Sequence, residues 1–313
     1  MIEVKNLTKK YGGLTALDDV SFTINDGEIV GFLGPNGAGK TTTMNIMTGC
    51  LSSNKGSVTI SGFDIYEEPD NAKKNIGYLP ETPPLYVDMT VEEYLNFVYE
   101  LKKCKINRKT HISEICKITK IDHVYKRVIK HLSKGYRQRV GIAQALITNP
   151  DIIILDEPTV GLDPNQIIET RDLIKRLGKS HTVIFSSHIL SEVQAVCNRV
   201  LVINNGKLVA DDTPGNLSKN VNVELKLTLR AVGPEKLIRE ILNGINDINS
   251  IRELGRKEEG AFDFEVEVEE GKDVRKDIFF RFAERQCPIV MIKSAELTLE
   301  EIFIHLTKEG GKK

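Results

Sequence analysis

Two hydrophobic rhythms divide the chain. In the first 220 residues, short runs that are apolar at nearly every position recur, at Glu28 to Leu33 (EIVGFL), Asp151 to Leu155 (DIIIL) and Thr182 to Ser186 (TVIFS). Strands covered on both faces carry such runs, whereas a strand with one wet face alternates. Helix-compatible stretches separate them, beginning with Lys40 to Thr48, so the pattern predicts a parallel α/β sheet. From Thr90 to His131 the pattern is helical. It opens on Thr90-Val91-Glu92-Glu93, where a carboxylate three residues after the Thr fits a capping box. An inserted helical subdomain is expected over about residues 88–145.

Beyond residue 220 the rhythm changes. Val221 to Arg230 (VNVELKLTLR) and Phe262 to Glu269 (FDFEVEVE) alternate apolar and polar positions, as half-buried strands do. Leu237, Ile238, Ile241, Leu242 and Ile245 share one helical face, and Val274, Ile278, Phe279 and Phe282 share another. With further strands near Ile248 to Glu253 and Pro288 to Ser294, the order is βαββαβ. That predicts an α+β ferredoxin-like sandwich, closed by a final helix over Leu299 to Lys308.

Between the two parts, residues 204–220 (NNGKLVADDTPGNLSKN) are rich in turn formers and predict a connector. The boundary is placed near residue 218, giving domains over 1–218 and 219–313. Residues 221–313 hold 16 basic and 19 acidic residues and no catalytic constellation, so a regulatory or dimer-supporting role is expected there. The whole chain carries 43 basic and 44 acidic residues; this supplies no global basic field, and nucleic acid is not expected as a partner. Five dispersed cysteines without a CxxC pair argue for reduced thiols and against a zinc site. MIEVKNLTKK is not a signal segment, and no apolar run approaches the roughly 20 residues that span a bilayer, so the chain itself is expected to be soluble.

Gly34 to Thr41 reads GPNGAGKT, a full G-x4-GK[ST] phosphate-binding loop between a buried strand and a helix. Gly34, Pro35, Asn36, Gly37, Ala38 and Gly39 form the loop, whose glycines let successive N–H groups aim at phosphate oxygens; the helix N-terminus adds its dipole. Lys40 is the point charge for the β and γ phosphates. Thr41 offers a hydroxyl to Mg²⁺, with Thr42 beside it. Ile152 to Glu157 (IIILDE) ends a second buried strand on two acids. Asp156 suits a Mg²⁺ ligand acting through water, and Glu157 suits a base that polarises the attacking water.

Four further segments narrow the class. Leu132 to Arg137 (LSKGYR) resembles the LSGGQ signature of ATP-binding cassette (ABC) ATPases, with Ser133 and Gly135 retained and Lys134 and Tyr136 as departures. Ser133 stands where a helix N-cap would, so its hydroxyl, the Gly N–H and the helix dipole make a second anion site. Val160-Gly161-Leu162-Asp163 looks like the family's D-loop, with Pro164 at the first turn of a helix. Ser187-His188 follows the TVIFS strand and matches the switch histidine, a γ-phosphate contact by resemblance. Tyr11 stands about where the family places its adenine-stacking aromatic. In Ile76 to Pro84 (IGYLPETPP), Glu81 replaces the usual Gln, which touches Mg²⁺ and links to the membrane partner; this variant resembles that of ABC-2-type exporters.

The resemblance covers residues 1 to about 218. It implies a P-loop NTPase cassette: a RecA-like parallel sheet core with antiparallel β and helical subdomains. It further implies an ATPase using ATP and Mg²⁺, powering a separate multi-span membrane permease of the export type from the cytoplasmic, inner face of the cell membrane. A second cassette, expected to be an identical copy, would dimerise head to tail, so that Ser133, Lys134, Gly135 and Tyr136 of one subunit close over the ATP held by Lys40 of the other. The alternative is a soluble ABC ATPase acting on ribosomes or nucleic acid. A third reading, a non-enzymatic scaffold, would need a degraded carboxylate pair, and Asp156 and Glu157 are intact.

Overall fold

The uninterrupted apolar runs become the centre of a six-stranded sheet. The computed structural model describes residues 1–220, 225–258, 260–269 and 271–295, which include neither the expected helix at Leu299 to Lys308 nor residues 221–224. The chain divides into one unit over Met1–Pro214 and a second that begins at Gly215.

The first unit runs β1 (Ile2–Tyr11), β2 (Leu14–Ile24), β3 (Ile29–Leu33), α1 (Lys40–Met47), β4 (Lys55–Ile60), β5 (Phe63–Asp64), α2 (Pro69–Lys74), β6 (Ile76–Leu79) and α3 (Val91–Leu101). It continues with α4 (Arg108–Thr119), α5 (Lys134–Leu146), β7 (Ile152–Leu155), α6 (Pro164–Leu177), β8 (Thr182–Ser187), α7 (Leu190–Val196), β9 (Arg199–Asn204) and β10 (Lys207–Asp212). The central sheet has the order β10-β9-β3-β8-β7-β6, parallel except for the β9–β10 hairpin. A separate antiparallel sheet has the order β2-β1-β4-β5. Met44, Ile46 and Met47 of α1 are fully buried in one core with Val4 and Phe22 of the antiparallel sheet and Phe32 and Ile154 of the parallel one. The helix behind the phosphate loop is thus clamped between two sheets, which fixes its N-terminus.

The capping box forms as the residues predict. Thr90 Oγ1 accepts from Glu93 N, and Glu93 reaches back to Thr90 N, which opens α3. The segment expected to be a connector begins with paired strands. Asn205 and Gly206, with φ of 47° and 76°, make the tight turn between β9 and β10, and α8 (Pro214–Asn220) follows. Two consecutive positive-φ positions match the right-handed twist of a hairpin, so the Asn-Gly pair joins strands here and does not end a domain. The turn also braces the site, because Gly206 N donates to Ala38 O at 2.9 Å and Gly206 O accepts from Asp18 N at 2.8 Å.

The second unit contains β11 (Leu225–Val232), α9 (Glu235–Asn243), β12 (Ile248–Glu258), β13 (Ala261–Val268), α10 (Arg275–Glu284) and β14 (Ile289–Ala295). Its sheet has the order β12-β13-β11-β14, antiparallel throughout, which is the βαββαβ ferredoxin-like connectivity. Leu229, Ile238, Leu242, Phe264, Ile278 and Phe282 pack in one core. Phe279 departs from expectation, being 59% exposed beside the equally exposed Phe280. Positions 274, 278 and 282, four apart, already fill the buried stripe, and residue 279 sits about 100° further round the helix.

Candidate functional site

Between Leu33 and α1 the chain wraps into a cradle that its glycines make possible. Gly37 and Gly39 adopt φ of 79° and 112°. A Cβ at Gly39 would lie 2.8 Å from Ala16 O, and one at Gly34 would lie 2.5 Å from Ile203 O, so both positions pack against backbone that cannot yield. Gly39 is the N-cap of α1 and supplies no side-chain acceptor, which leaves the first-turn N–H groups available to an anion. Lys40, buried with 5% of its surface exposed, donates from Nζ to Gly34 O at 2.8 Å and Pro35 O at 3.2 Å. The same ammonium lies 3.3 Å from Glu157 Oε1.

The two acids that end β7 have different surroundings. Asp156 is fully buried; Ser186 Oγ donates to its Oδ1 at 2.6 Å, while Oδ2 has no hydrogen-bond partner among the described residues. Burial raises its pKa above the ordinary carboxylate value, and the hydroxyls of Ser186 and Thr41 oppose the rise. Glu157 holds its backbone at φ 47°, a left-handed conformation that costs a non-glycine residue about 1–3 kcal/mol. Three contacts keep it there. Its N–H donates to Ser186 Oγ at 2.7 Å, its Oε1 faces Lys40 Nζ, and its Oε2 lies 2.9 Å from His188 Nδ1. The strained backbone turns the carboxylate out of the strand and into the cavity.

That cavity, of about 370 Å³, is lined by Asn36, Gly37, Gly39, Lys40, Thr41, Thr42, Glu81, Glu157, Val160 and His188. Three segments far apart in sequence therefore converge with the phosphate loop. Gly34, Pro35, Ala38 and Asp156 are not among the lining residues. Tyr11 is not among the lining residues; its half-exposed ring ends β1, with Lys9 Nζ 5.3 Å from the centroid. Ser133, Lys134, Gly135, Tyr136 and Asp163 also lie outside the lining. Ser133 caps α5 by accepting from Tyr136 N, Tyr136 Oη bonds His123 Nε2 at 2.9 Å, and Asp163 caps α6 by accepting from Gln166 N at 2.9 Å.

Sequence reasoning missed two supporting groups. Ser186 joins both acids, yet a Ser within an apolar run reads as filler. Glu192, 1% exposed, accepts from Thr159 Oγ1 at 2.6 Å and Ser187 Oγ at 2.9 Å, tying the loop after Glu157 to α7. No local pattern marks it.

The comparisons with known proteins decide the family. A family model described as ABC transporter matches residues 17–160. The uncharacterized ABC transporter ATP-binding protein YhcH of Bacillus subtilis is 44% identical over 212 residues, 67% of this chain and 68% of that protein. This chain belongs to the ABC transporter ATP-binding proteins. The cassette is also similar to the linearmycin resistance ATP-binding protein LnrL of Bacillus subtilis, 30% identical over 98% of both chains, so that likeness extends through the second unit. Among solved structures, the dimeric post-hydrolysis state of an ATP-binding cassette bound to ADP and Pi matches with a TM-score of 0.62 and 27% identity, covering 68% of this chain and 98% of that one. The cassette is thus an ATP-binding, ATP-hydrolysing subunit of an ABC transporter, and action on ribosomes or nucleic acid is not favoured. Among the described residues no helix is long and apolar enough to cross a membrane.

Proposed function

We propose that the cassette hydrolyses ATP in the cavity at the phosphate loop, with Glu157 orienting the attacking water, and so powers a separate export permease. The observation that carries this is the placement of the Glu157 carboxylate, turned into the cavity by a left-handed backbone and gripped by Lys40 and His188. Phosphoryl transfer to water needs an oriented nucleophile and electrostatic stabilisation more than covalent help. Lys40 and the α1 N–H groups hold the β and γ phosphates, and His188 contacts the γ-phosphate from the end of β8. Tyr11 stacks on the adenine.

A divalent metal fits the donor set. Asp156 Oδ2 is a buried oxygen without a partner among the described residues, and the Thr41 hydroxyl acts on the same carboxylate; oxygen donors of this kind suit a hard cation with retained water. Thr41 and Asp156 would hold Mg²⁺, with Glu81 accepting from one of its waters, and the ion would neutralise charge on the phosphates. Ser133 and Gly135 of a second copy would close over the ATP, which accounts for their position outside the cavity of one chain. The export reading is supported by the similarity to a linearmycin resistance protein; it places the cassette at the inner face of the membrane beside a multi-span partner. Glu157→Gln tests the central role: it should retain ATP and accumulate as a dimer while turnover falls by about 100-fold or more. Turnover within a few-fold of wild type would remove Glu157 from that role.

A further inference from the structure

The two segments that carry Glu157 and His188 meet twice. In the nucleotide cavity, Glu157 Oε2 lies 2.9 Å from His188 Nδ1. The second junction is buried, and one carboxylate oxygen makes it. Glu192 Oε2 accepts from Thr159 Oγ1 at 2.6 Å and from Ser187 Oγ at 2.9 Å. Thr159 stands two residues after Glu157, and Ser187 immediately precedes His188. The contacts therefore close a ring, from Glu157 through His188, Ser187, Glu192 and Thr159 back to Glu157.

The backbone braces the ring. Ile189 N donates to Ser187 Oγ at 2.9 Å, closing a turn around His188, and Val160 N donates to Glu157 O at 3.2 Å, closing one that contains Thr159. Glu192 itself rides on α7, which sits tight against β3: a Cβ at Gly31 would lie 2.4 Å from Cγ1 of the fully buried Val193. Glu192 is 1% exposed and has no cation within 4.0 Å among the described residues. Two neutral hydroxyls satisfy its Oε2, while Oε1 has no partner among the described residues. An apolar side chain would fill such a site at lower cost. What the carboxylate adds is one acceptor shared by hydroxyls from two segments.

We propose that Glu192 is a positioning residue for hydrolysis, holding the segment after Glu157 and the segment before His188 at one spacing so that the two side chains meet in the cavity. Glu192 does not line that cavity and acts through Thr159 and Ser187. The role rests on the ATPase reading above.

The test reads steady-state ATP turnover and thermal unfolding on the full chain for Glu192→Leu, Glu192→Gln and Thr159→Val. Loss of the shared acceptor in Glu192→Leu should lower kcat about ten-fold through misplacement of the water-orienting group, while the KM for ATP stays within about two-fold. Glu192→Gln keeps an accepting oxygen at the same reach and should recover turnover to within about two-fold of wild type. Thr159→Val cuts one arm without changing charge and should lower kcat about three-fold at an unchanged KM, with almost no further loss in the Glu192→Leu background. Where Glu192→Leu fails to fold, Thr159→Val decides by the same split of kcat from KM. Wild-type kcat in both Glu192→Leu and Thr159→Val would overturn the role. So would a Glu192→Leu defect that raises the KM in proportion, or one that Glu192→Gln shares in full, since the side chain would then serve folding or charge alone. Those outcomes leave Glu157 as the water-orienting group, whereas near-normal turnover by Glu157→Gln would strike the ATPase reading and this role with it.

Discussion

Ser186→Ala removes one buried oxygen that serves both acids. In the native structure its hydroxyl donates to Asp156 Oδ1 at 2.6 Å and accepts from Glu157 N at 2.7 Å. Without it, a buried N–H loses its acceptor, and Asp156, whose Oδ2 has no partner among the described residues, loses the bond to its other oxygen. Each unsatisfied buried group costs about 1–3 kcal/mol, so the change should cost about 2–6 kcal/mol. Release of the left-handed strain at Glu157, about 1–3 kcal/mol, offsets part of this. A net loss of about 2 kcal/mol lowers the melting temperature of a unit this size by roughly 4–8 °C. The same release hurts function, because a relaxed backbone swings the Glu157 carboxylate away from Lys40 and His188. Turnover should fall about ten-fold, equivalent to about 1.4 kcal/mol in the barrier. Thermal unfolding followed by circular dichroism and a phosphate-release assay on the same samples measure both effects, with Ser186→Thr as the variant that keeps the hydroxyl and recovers turnover. A melting temperature and a turnover both unchanged in Ser186→Ala would refute the bridging role.

Asp156→Asn should separate stability from function. Burial raises the Asp156 pKa, so folding penalises the ionised form; the penalty is absent below the ordinary value of 3.8, grows as pH rises from there to the folded value, and is fully present above it. The Asn variant should therefore melt about 2–4 °C higher than wild type at pH 8, with the gain vanishing as pH falls to the ordinary carboxylate value, and show no Mg²⁺-dependent turnover. In β6, Gly77→Ala should lose about 1–3 kcal/mol in denaturant unfolding, because its Cβ would meet Ala145 O at 2.3 Å, a backbone atom of α5. In the second unit, Phe282→Ala, at a site 1% exposed, should cost about 3–5 kcal/mol, while Phe279→Ala should stay within about 0.5 kcal/mol. Equal losses from the two would refute the assignment of the buried face.

The alternation of strands in the second unit, the buried parallel runs and both helix caps at Thr90 and Ser133 were legible because each depends on residues within one turn or one strand of each other. The hairpin at Asn205-Gly206 was not, since the same turn chemistry serves a domain boundary and a two-residue loop; only the pairing of β10 with β9 distinguishes them. Phe279 was misassigned because helical periodicity alone does not say where a buried stripe stops.

By itself the sequence determined which chemistry is present: a loop that binds phosphate, two acids at a strand end, a histidine after another strand and a signature segment with two substituted positions. Spacing and residue type suffice for that, because each motif works through its own backbone. The tertiary structure decided which of these groups meet. The crossing of parallel strands brings Ser186 under both acids and Glu192 beneath the loop after them. Those relations link residues tens of positions apart through packing, and no local pattern encodes them.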